Sequence, residues 1–332
     1  MPTALVQGRI AVQFVELLRQ NLDAEWSIQV WDPKIHKTDE FISMAREADV
    51  IIGGSIPLNH WPKTPNLKMF QIPWTGYDFC SPETMPAGVP VCNCFEHEST
   101  IAEYVMAAML EWTIGLRKMD QRFRSKGWSG RLPGEFVYHD EVRGRTVGIV
   151  GFGHIGAELA KRAAAFGMQV IGTRRRIQEK PEHLEWLGGP EKLHELLAES
   201  DFVVIACDLN TETNGLIGAK ELDAMKSDSV IINVSRGLVV QEAALYNALK
   251  GKTIGGAVID VWYNHVSPEK PDIWPSNLPF EDLENVIVTA HESAAAKGQV
   301  QRRWQFVASN IKRVIDGEAP MNFVFEGTQK ST

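Results

Sequence analysis

Residues 151–156 read Gly-Phe-Gly-His-Ile-Gly, a G-x-G-x-x-G run set between a β-branched strand pattern at 146–150 and a helical stretch. The apolar face of that stretch is Ile155, Leu159, Ala163 and Phe166. Glycines recur in many turns, so the run alone says little; between a strand and a helix it is far more restrictive. Gly151 permits the tight turn, Gly153 lets the backbone approach a pyrophosphate, and Gly156 lets helix and strand pack closely. The helix start at His154 and Ile155 supplies free N–H groups to an anion. Such a chain is expected to build βαβ units and to bind a dinucleotide.

Short β-rich runs and helical stretches alternate from end to end, which points to α/β architecture on parallel sheets. Residues 27–31, 49–52, 67–72 and 89–93 read as strands, with helical patterns at 10–19 and 38–47. A second series at 146–150, 169–172, 202–206, 229–234, 254–259 and 286–289 supplies the six strands of a Rossmann-type doubly wound sheet. Between the two series lie a helical run at 101–118 and a stretch, 122–144, that loses periodicity. That stretch collects Gly127, Gly130, Pro133, Gly134 and several Arg, as a long connection or an arm against a partner subunit would. A last helical run, about 294–316, ends at Gly317 and is long enough to return to the first series. The 332 residues leave room for two domains at roughly 100–200 residues each.

Charge sets what the chain is not built for. With 34 Lys+Arg against 42 Asp+Glu the net charge is −8, so no broad basic surface for nucleic acid or anionic membrane is expected. No run of about 18 consecutive apolar residues occurs. The N-terminal stretch carries only Arg9 and is interrupted by Gln13 and Glu16, unlike a secretory leader. Cys80, Cys92, Cys94 and Cys207 are too few for a disulfide framework. Cys92 and Cys94 alternate along a strand, and no metal site is predicted. A cytoplasmic protein acting on a small molecule is the expectation.

The second strand of a dinucleotide unit normally ends in an acidic residue that holds the adenosine ribose of NAD. Here Thr173 is followed by Arg174, Arg175 and Arg176, and no Asp or Glu occurs from Leu159 through Gln178. Guanidiniums at that point could clamp a 2′-phosphate. The expected cofactor is therefore NADP(H), with NAD(H) as the lesser alternative.

Ligands of doubly wound sheets bind beyond the carboxyl ends of the strands. Arg236, Asp260 and His291 follow three of them. Reducing a 2-keto acid needs a cation for the carboxylate and carbonyl, which Arg236 suits, and a proton donor, which His291 suits because imidazole titrates near neutrality. Asp260 could accept the nicotinamide carboxamide or buttress the loop.

The 151–156 loop, Asn-Val-Ser-Arg-Gly at 233–237, Gly-Ala-Val-Ile-Asp-Val at 256–261 and Asn-Val-Ile-Val-Thr-Ala-His at 285–291 occur in order and at matching spacing. Together they resemble the D-isomer-specific 2-hydroxyacid dehydrogenase family, which includes glyoxylate/hydroxypyruvate reductases and, more distantly, formate and phosphite dehydrogenases. Trp74-Thr75-Gly76-Tyr77-Asp78 is similar to the family's substrate loop. The resemblance implies that Arg236 binds substrate, that His291 is the acid/base, and that the Thr75 and Gly76 amides hold the carboxylate beside Trp74. It places Val234 and Ser235 beside the cofactor. It also implies a flavodoxin-like substrate domain, residues 1–100 completed by 292–332, around an inserted dinucleotide domain, 101–291, and a homodimer formed through the latter.

Two departures stand out. Five residues after the Asp matching Asp260, the family usually has a Glu that pairs with the catalytic His; here that position is His265. A His cannot act as a fixed anion, so the acid/base couple is altered, with His265 as its catalytic member beside His291, or another residue supplies the anion, with Glu269, Glu281 and Glu292 as candidates. The bland reading is that His265 only hydrogen-bonds and fills space. The second departure is Ala206-Cys207-Asp208, where the family often carries His-x-Pro; the segment should still pass beside the adenine or its ribose. The leading expectation is an NADP-dependent reductase of a small 2-keto acid. A formate- or phosphite-type dehydrogenase and a catalytically weak NAD(P)-responsive binding protein are the alternatives. Retention of both Arg236 and His291 counts against the last.

Overall fold

The computed structural model describes residues 1–128, 137–177, 179–266 and 270–330. Its strands, in chain order, are β1 Thr3–Gln7, β2 Ser27–Trp31, β3 Val50–Gly53, β4 Met69–Gln71 and β5 Pro90–Cys92, then β6 Thr146–Val150, β7 Gln169–Thr173, β8 Trp186–Gly188, β9 Phe202–Ile205, β10 Val230–Asn233, β11 Gly256–Ile259 and β12 Val286–Val288, and last β13 Phe323–Glu326. Two compact units divide the chain: Met1–His97 with Ala296–Thr332, and Glu98–Ala295.

In the first unit the strand order is β13-β5-β4-β3-β1-β2. Neighbours pair in parallel except β13, which runs antiparallel to β5. Without β13 this is the 2-1-3-4-5 order of flavodoxin-like folds. Alternation along β1 explains how the sheet is covered. Ala4 and Val6 face a core shared with Trp304, Val307 and Ile311 of the helix Lys297–Ile315. Leu5, one residue out of phase, faces Phe41 and Ala45 of the helix Thr38–Glu47 and Trp61. Both faces are buried, so β1 is apolar from Ala4 to Val6 and β3 from Val50 to Ile52, as parallel sheets require.

The second unit has the all-parallel order β12-β11-β10-β9-β6-β7-β8. The order reverses between β6 and β9, which is the topological switch point of a Rossmann-type sheet. One face packs on the helices Glu98–Ile114 and His154–Ala165 through Val105, Met109, Leu159 and Ala163. The other packs on Leu193, Leu196 and Leu197 of Leu193–Glu199 and on Leu245 and Leu249 of Glu242–Lys250. The cysteines are free, and Cys92 and Cys94 are buried in the first unit's core.

Several boundaries differ from the sequence reading. Strands β1, β8 and β13 are additional. The helix expected over 101–118 ends at Ile114, because Gly115 takes a left-handed φ of +67° and a second helix, Leu116–Lys126, starts in a new direction. The stretch 122–144 is thus helical through Lys126; Gly130, Pro133 and Gly134 lie outside the described residues. Gly148, in the middle of β6, is set by packing. A Cβ there would sit 2.0 Å from Ser200 Oγ and 2.6 Å from Leu196 Cδ2. Gly148→Ala is expected to destabilise the second unit by about 1–3 kcal/mol through overpacking, read as a lower thermal midpoint. An unchanged midpoint would mean that Leu193–Glu199 can back away at no cost.

Candidate active site

The glycine loop leaves β6 at the switch point, and each glycine has its own reason. Gly151 has φ +89°, and a Cβ on it would lie 2.4 Å from Cys207 Cα, so conformation and close approach both demand glycine. Gly156 packs the helix on the strand: its Cβ would meet Phe152 Cδ2 at 3.0 Å and Ile149 Cγ2 at 3.2 Å. Gly153 has neither constraint. Its φ is −118° and nothing lies within 4 Å of a Cβ. The space that only this glycine keeps open is where a ligand backbone would pass.

Donors frame that space. Gly151 and Phe152 donate to the Thr173 carbonyl at 3.0 and 2.7 Å, and Gly153 donates to Gly151 at 2.9 Å. The amides of Ile155 and Gly156, in the first turn of His154–Ala165, donate to no acceptor among the described residues. Two unpaired amides at a helix N-terminus beside an open cradle fit a pyrophosphate. Cys207 walls the cradle from the end of β9, and burial pushes its thiol up to about 12, so it is a neutral wall. At the end of β7, Thr173 is buried, Arg174 is half-buried, and Arg175 and Arg176 are exposed. Arg175 Nη1 lies 3.6 Å from Glu212 Oε2, an exposed pair of small worth.

Three further strand ends carry Arg236, Asp260 and His291. Asn233 closes an Asx-turn after β10: its Oδ1 accepts from Ser235 N at 3.1 Å and its Nδ2 donates to the Arg236 carbonyl at 3.1 Å. Gly237 lets that turn press on the next loop, since a Cβ would lie 2.3 Å from the Trp262 carbonyl oxygen. Val234 donates to Ile205 at 3.3 Å, bringing residues 233–236 beside the end of β9. Arg236 is half-buried, and its Nη1 donates to the Ser235 carbonyl at 2.9 Å.

Asp260 is fully buried. Its Oδ1 accepts from Thr289 Oγ1 at 2.6 Å and from Glu292 N at 2.8 Å, and its Oδ2 accepts from Ser293 N at 3.0 Å. Burial pushes this carboxyl up, but the hydrogen bonds from Ser293, Thr289 and Glu292 together outweigh it and hold the group below the usual carboxylate range. The same bonds hold His291, which sits between the clamped residues with a left-handed φ of +58°. That conformation costs roughly 1–2 kcal/mol. Hydrogen bonds to an ionised acceptor contribute about 1.5–3 kcal/mol each, so the clamp wins. Three of the carboxylate's roughly four acceptor positions serve this loop, which is the buttressing role.

The His291 imidazole is held below its usual value, first by desolvation and then by the charges of Arg236 and His265, while Asp260 pulls the other way. Its opposing anion among the described residues is therefore Asp260. Glu269 lies outside the described residues. The sequence reading missed Asn233, Thr289 and Ser293 as supports; an Asn at a strand end is a turn signal that could have marked the first. Trp262 is a brace, its indole N–H donating to the Thr289 carbonyl at 2.8 Å.

In the first unit, Trp74, Thr75 and Gly76 form a tethered loop. A Cβ on Gly54 would lie 1.4 Å from Trp74 Cζ2, so the indole lies against bare backbone. Thr75 Oγ1 donates to the Cys94 carbonyl at 3.0 Å and lies 3.2 Å from His97 Nδ1, and Asn93 Nδ2 donates to the Thr75 carbonyl at 2.9 Å. The Thr75 and Gly76 amides have no acceptor among the described residues.

The two loop glycines should separate fold from binding. Gly153→Ala is expected to leave the thermal midpoint unchanged and to weaken reduced-nicotinamide binding about tenfold or more by titration fluorescence. Gly151→Ala is expected to lower the midpoint itself. Equal midpoints and equal affinities in both variants would remove the cradle assignment.

Residues 106–293 match the family described as D-isomer specific 2-hydroxyacid dehydrogenase, NAD binding domain. A glyoxylate reductase of Thermococcus gammatolerans is 32% identical over 337 residues, covering 97% of this chain and 96% of that protein. Among solved structures, an NADPH complex of a D-isomer specific 2-hydroxyacid dehydrogenase from Xanthobacter autotrophicus has TM-score 0.78 and 25% identity, covering 98% of both chains. An NADPH-dependent glyoxylate/hydroxypyruvate reductase from Sinorhizobium meliloti has TM-score 0.73 and 25% identity, covering 100% of both. With its glycine cradle, its strand-end Arg236, Asp260 and His291, and these full-length likenesses, the chain belongs to the D-isomer specific 2-hydroxyacid dehydrogenase family.

Proposed function

We propose that this enzyme is an NADPH-dependent reductase of a small 2-keto acid of the glyoxylate or hydroxypyruvate type, giving the D-2-hydroxy acid. The observation that carries the reading is the left-handed His291, held by the buried Asp260 clamp on the same set of strand ends as Arg236 and the open cradle at Gly153. The first unit serves as the substrate domain and the second as the dinucleotide domain. When bound, the reduced nicotinamide supplies the hydride. Arg236 polarises the keto oxygen and anchors the carboxylate. In the first unit, the substrate role that the family likeness implies falls to Trp74 and to the Thr75 and Gly76 amides. His291 gives its proton to the developing alkoxide. His154, Ile155 and Gly156 receive the pyrophosphate; Ala206, Cys207, Val234 and Ser235 lie along the cofactor's path; Thr173 to Arg176 take the adenosine end.

The arginines after β7 support NADP over NAD: no Asp or Glu occurs from Leu159 through Gln178 to hold the ribose hydroxyls of NAD, and Glu212 reaches the strand end only as the exposed partner of Arg175. A homodimer is supported by the helix Leu116–Lys126, which buries none of its residues and leaves Leu116 and Phe123, with the following Trp128, exposed. A cytoplasmic setting is supported by four free cysteines, and no described helix is long and apolar enough to cross a membrane. One observation favours a second reading. His265 stands where it opposes protonation of His291, which would matter less in formate-type oxidation, where no carbonyl needs a proton.

Loss of NADPH and NADH absorbance over glyoxylate, hydroxypyruvate and pyruvate, beside gain of absorbance from NADP⁺ and NAD⁺ over formate, tests both readings. Keto-acid turnover with NADPH preferred is expected; formate oxidation alone would install the second reading. Arg174→Asp should reverse or abolish the NADPH preference, and unchanged affinity would remove the 2′-phosphate assignment. His291→Ala should lower turnover by about 10²–10⁴-fold while cofactor affinity holds. Because His291 is held below its ordinary value and reduction needs the protonated ring, kcat/KM for reduction should be lost as pH rises through a point below that of free imidazole. A plateau extending above pH 7.5 would contradict it.

A further inference from the structure

Tyr104 belongs to the helix Glu98–Ile114, 185 positions from Thr289 in sequence, yet its hydroxyl lies 2.7 Å from Thr289 Oγ1. The direction of the bonds there follows from proton counting. Asp260, as a carboxylate, only accepts, so the single Thr289 hydroxyl proton goes to Asp260 Oδ1 at 2.6 Å. Tyr104 must then donate to Thr289. Thr289 is held at every polar atom: its N donates to the Ile259 carbonyl at 3.0 Å, its carbonyl accepts from Trp262 Nε1 at 2.8 Å, and its hydroxyl both donates and accepts. Two residues later comes His291, and the next two amides close on Asp260.

We propose that Tyr104 and Thr289 are positioning residues for His291, forming with Asp260 a relay, Tyr104 to Thr289 to Asp260, that fixes the histidine loop from both sides. The relay takes over part of the orienting task that a Glu at the position of His265 would perform. It rests on the reading of His291 as the acid/base. Neither Tyr104 nor Thr289 touches the reacting groups in that reading; they act through Asp260 and the backbone. Burial holds the Tyr104 phenol above its usual range, so it stays a donor throughout the working pH range. The charged groups acting on His291 are Asp260 after β11, Arg236 after β10 and His265 in the loop beyond Asp260. Loosening the relay lets the ring drift from Asp260, the attractive member of that set, and so favours the neutral ring.

Thr289→Val, Thr289→Ser and Tyr104→Phe test this at saturating NADPH across pH. Thr289→Val removes the donor to Asp260 and should lower kcat about tenfold or more, moving the alkaline limb of reduction to lower pH. Tyr104→Phe should act in the same direction, about threefold. Thr289→Ser keeps the hydroxyl and should restore both rate and profile. NADPH affinity and thermal midpoint should stay close to wild type in Tyr104→Phe and Thr289→Ser. Wild-type rate and pH limb in both Thr289→Val and Tyr104→Phe would overturn the relay, as would losses that follow only the midpoint or the cofactor affinity. If His291→Ala itself keeps full rate, the acid/base reading falls and the relay with it. If His291→Ala is inactive while Thr289→Val and Tyr104→Phe match wild type, the relay alone falls.

Discussion

The carboxylate of Asp260 is the contact on which the second unit's chemistry depends. It is removed from water at the end of a buried strand, where a charge survives only if hydrogen bonds replace hydration. Its donors among the described residues all come from one short segment, Thr289 to Ser293, and that segment contains His291. The stabilisation needed to keep a buried charge is thus the force that bends the backbone into a left-handed turn at the histidine. Local strain and global burial are linked through one side chain, and neither could be changed without the other.

The remaining strand ends follow a similar division between what packing requires and what it does not. Gly151, Gly156 and Gly237 are glycines because protein atoms occupy the space a Cβ would need. Gly153 is a glycine although no protein atom comes near. Around it the Ile155 and Gly156 amides lack partners among the described residues, while Gly151, Phe152 and Gly153 have theirs. Folding accounts for every constraint in the loop except these, and the exceptions coincide in space. A bound anion satisfies both at once, which is why the cradle, rather than the glycine pattern, is the stronger evidence for a dinucleotide.

Local chemistry was legible in the sequence; tertiary partnership was not. The phosphate loop could be read because a tight turn, a close approach and a helix start all act within six residues. The buried strands β6, β9 and β10 could be read as β-branched runs. Strand β1 was missed because its five residues, Thr-Ala-Leu-Val-Gln, carry little β-branching, and only burial on both faces shows them as central. The break at Gly115 was missed because the apolar pattern runs on from the helix Glu98–Ile114 toward Leu116, and only the left-handed glycine turns the chain. β13 forms by pairing with β5, more than 200 positions away, and no periodicity within four residues announces that. The site divides the same way. Arg236, Asp260 and His291 stand out as charged groups after apolar strands, whereas Tyr104 meets Thr289 across 185 positions.

That division also explains why His265 reads as a defect in sequence and less so in structure. Orientation of a catalytic imidazole and its charge balance are separate requirements, and one Glu can meet both. Here the backbone of His291 is held by Asp260, while its charge is set by Asp260 against Arg236 and His265. Burial first, and then Arg236 and His265, outweigh Asp260, so the free enzyme favours the neutral ring. On the proposed function, the carboxylate of an arriving keto acid offsets the Arg236 charge, so the ring gains affinity for a proton when there is an oxygen to receive it. An enzyme arranged in this way has less need of a permanent carboxylate facing its histidine, because its substrate carries one in.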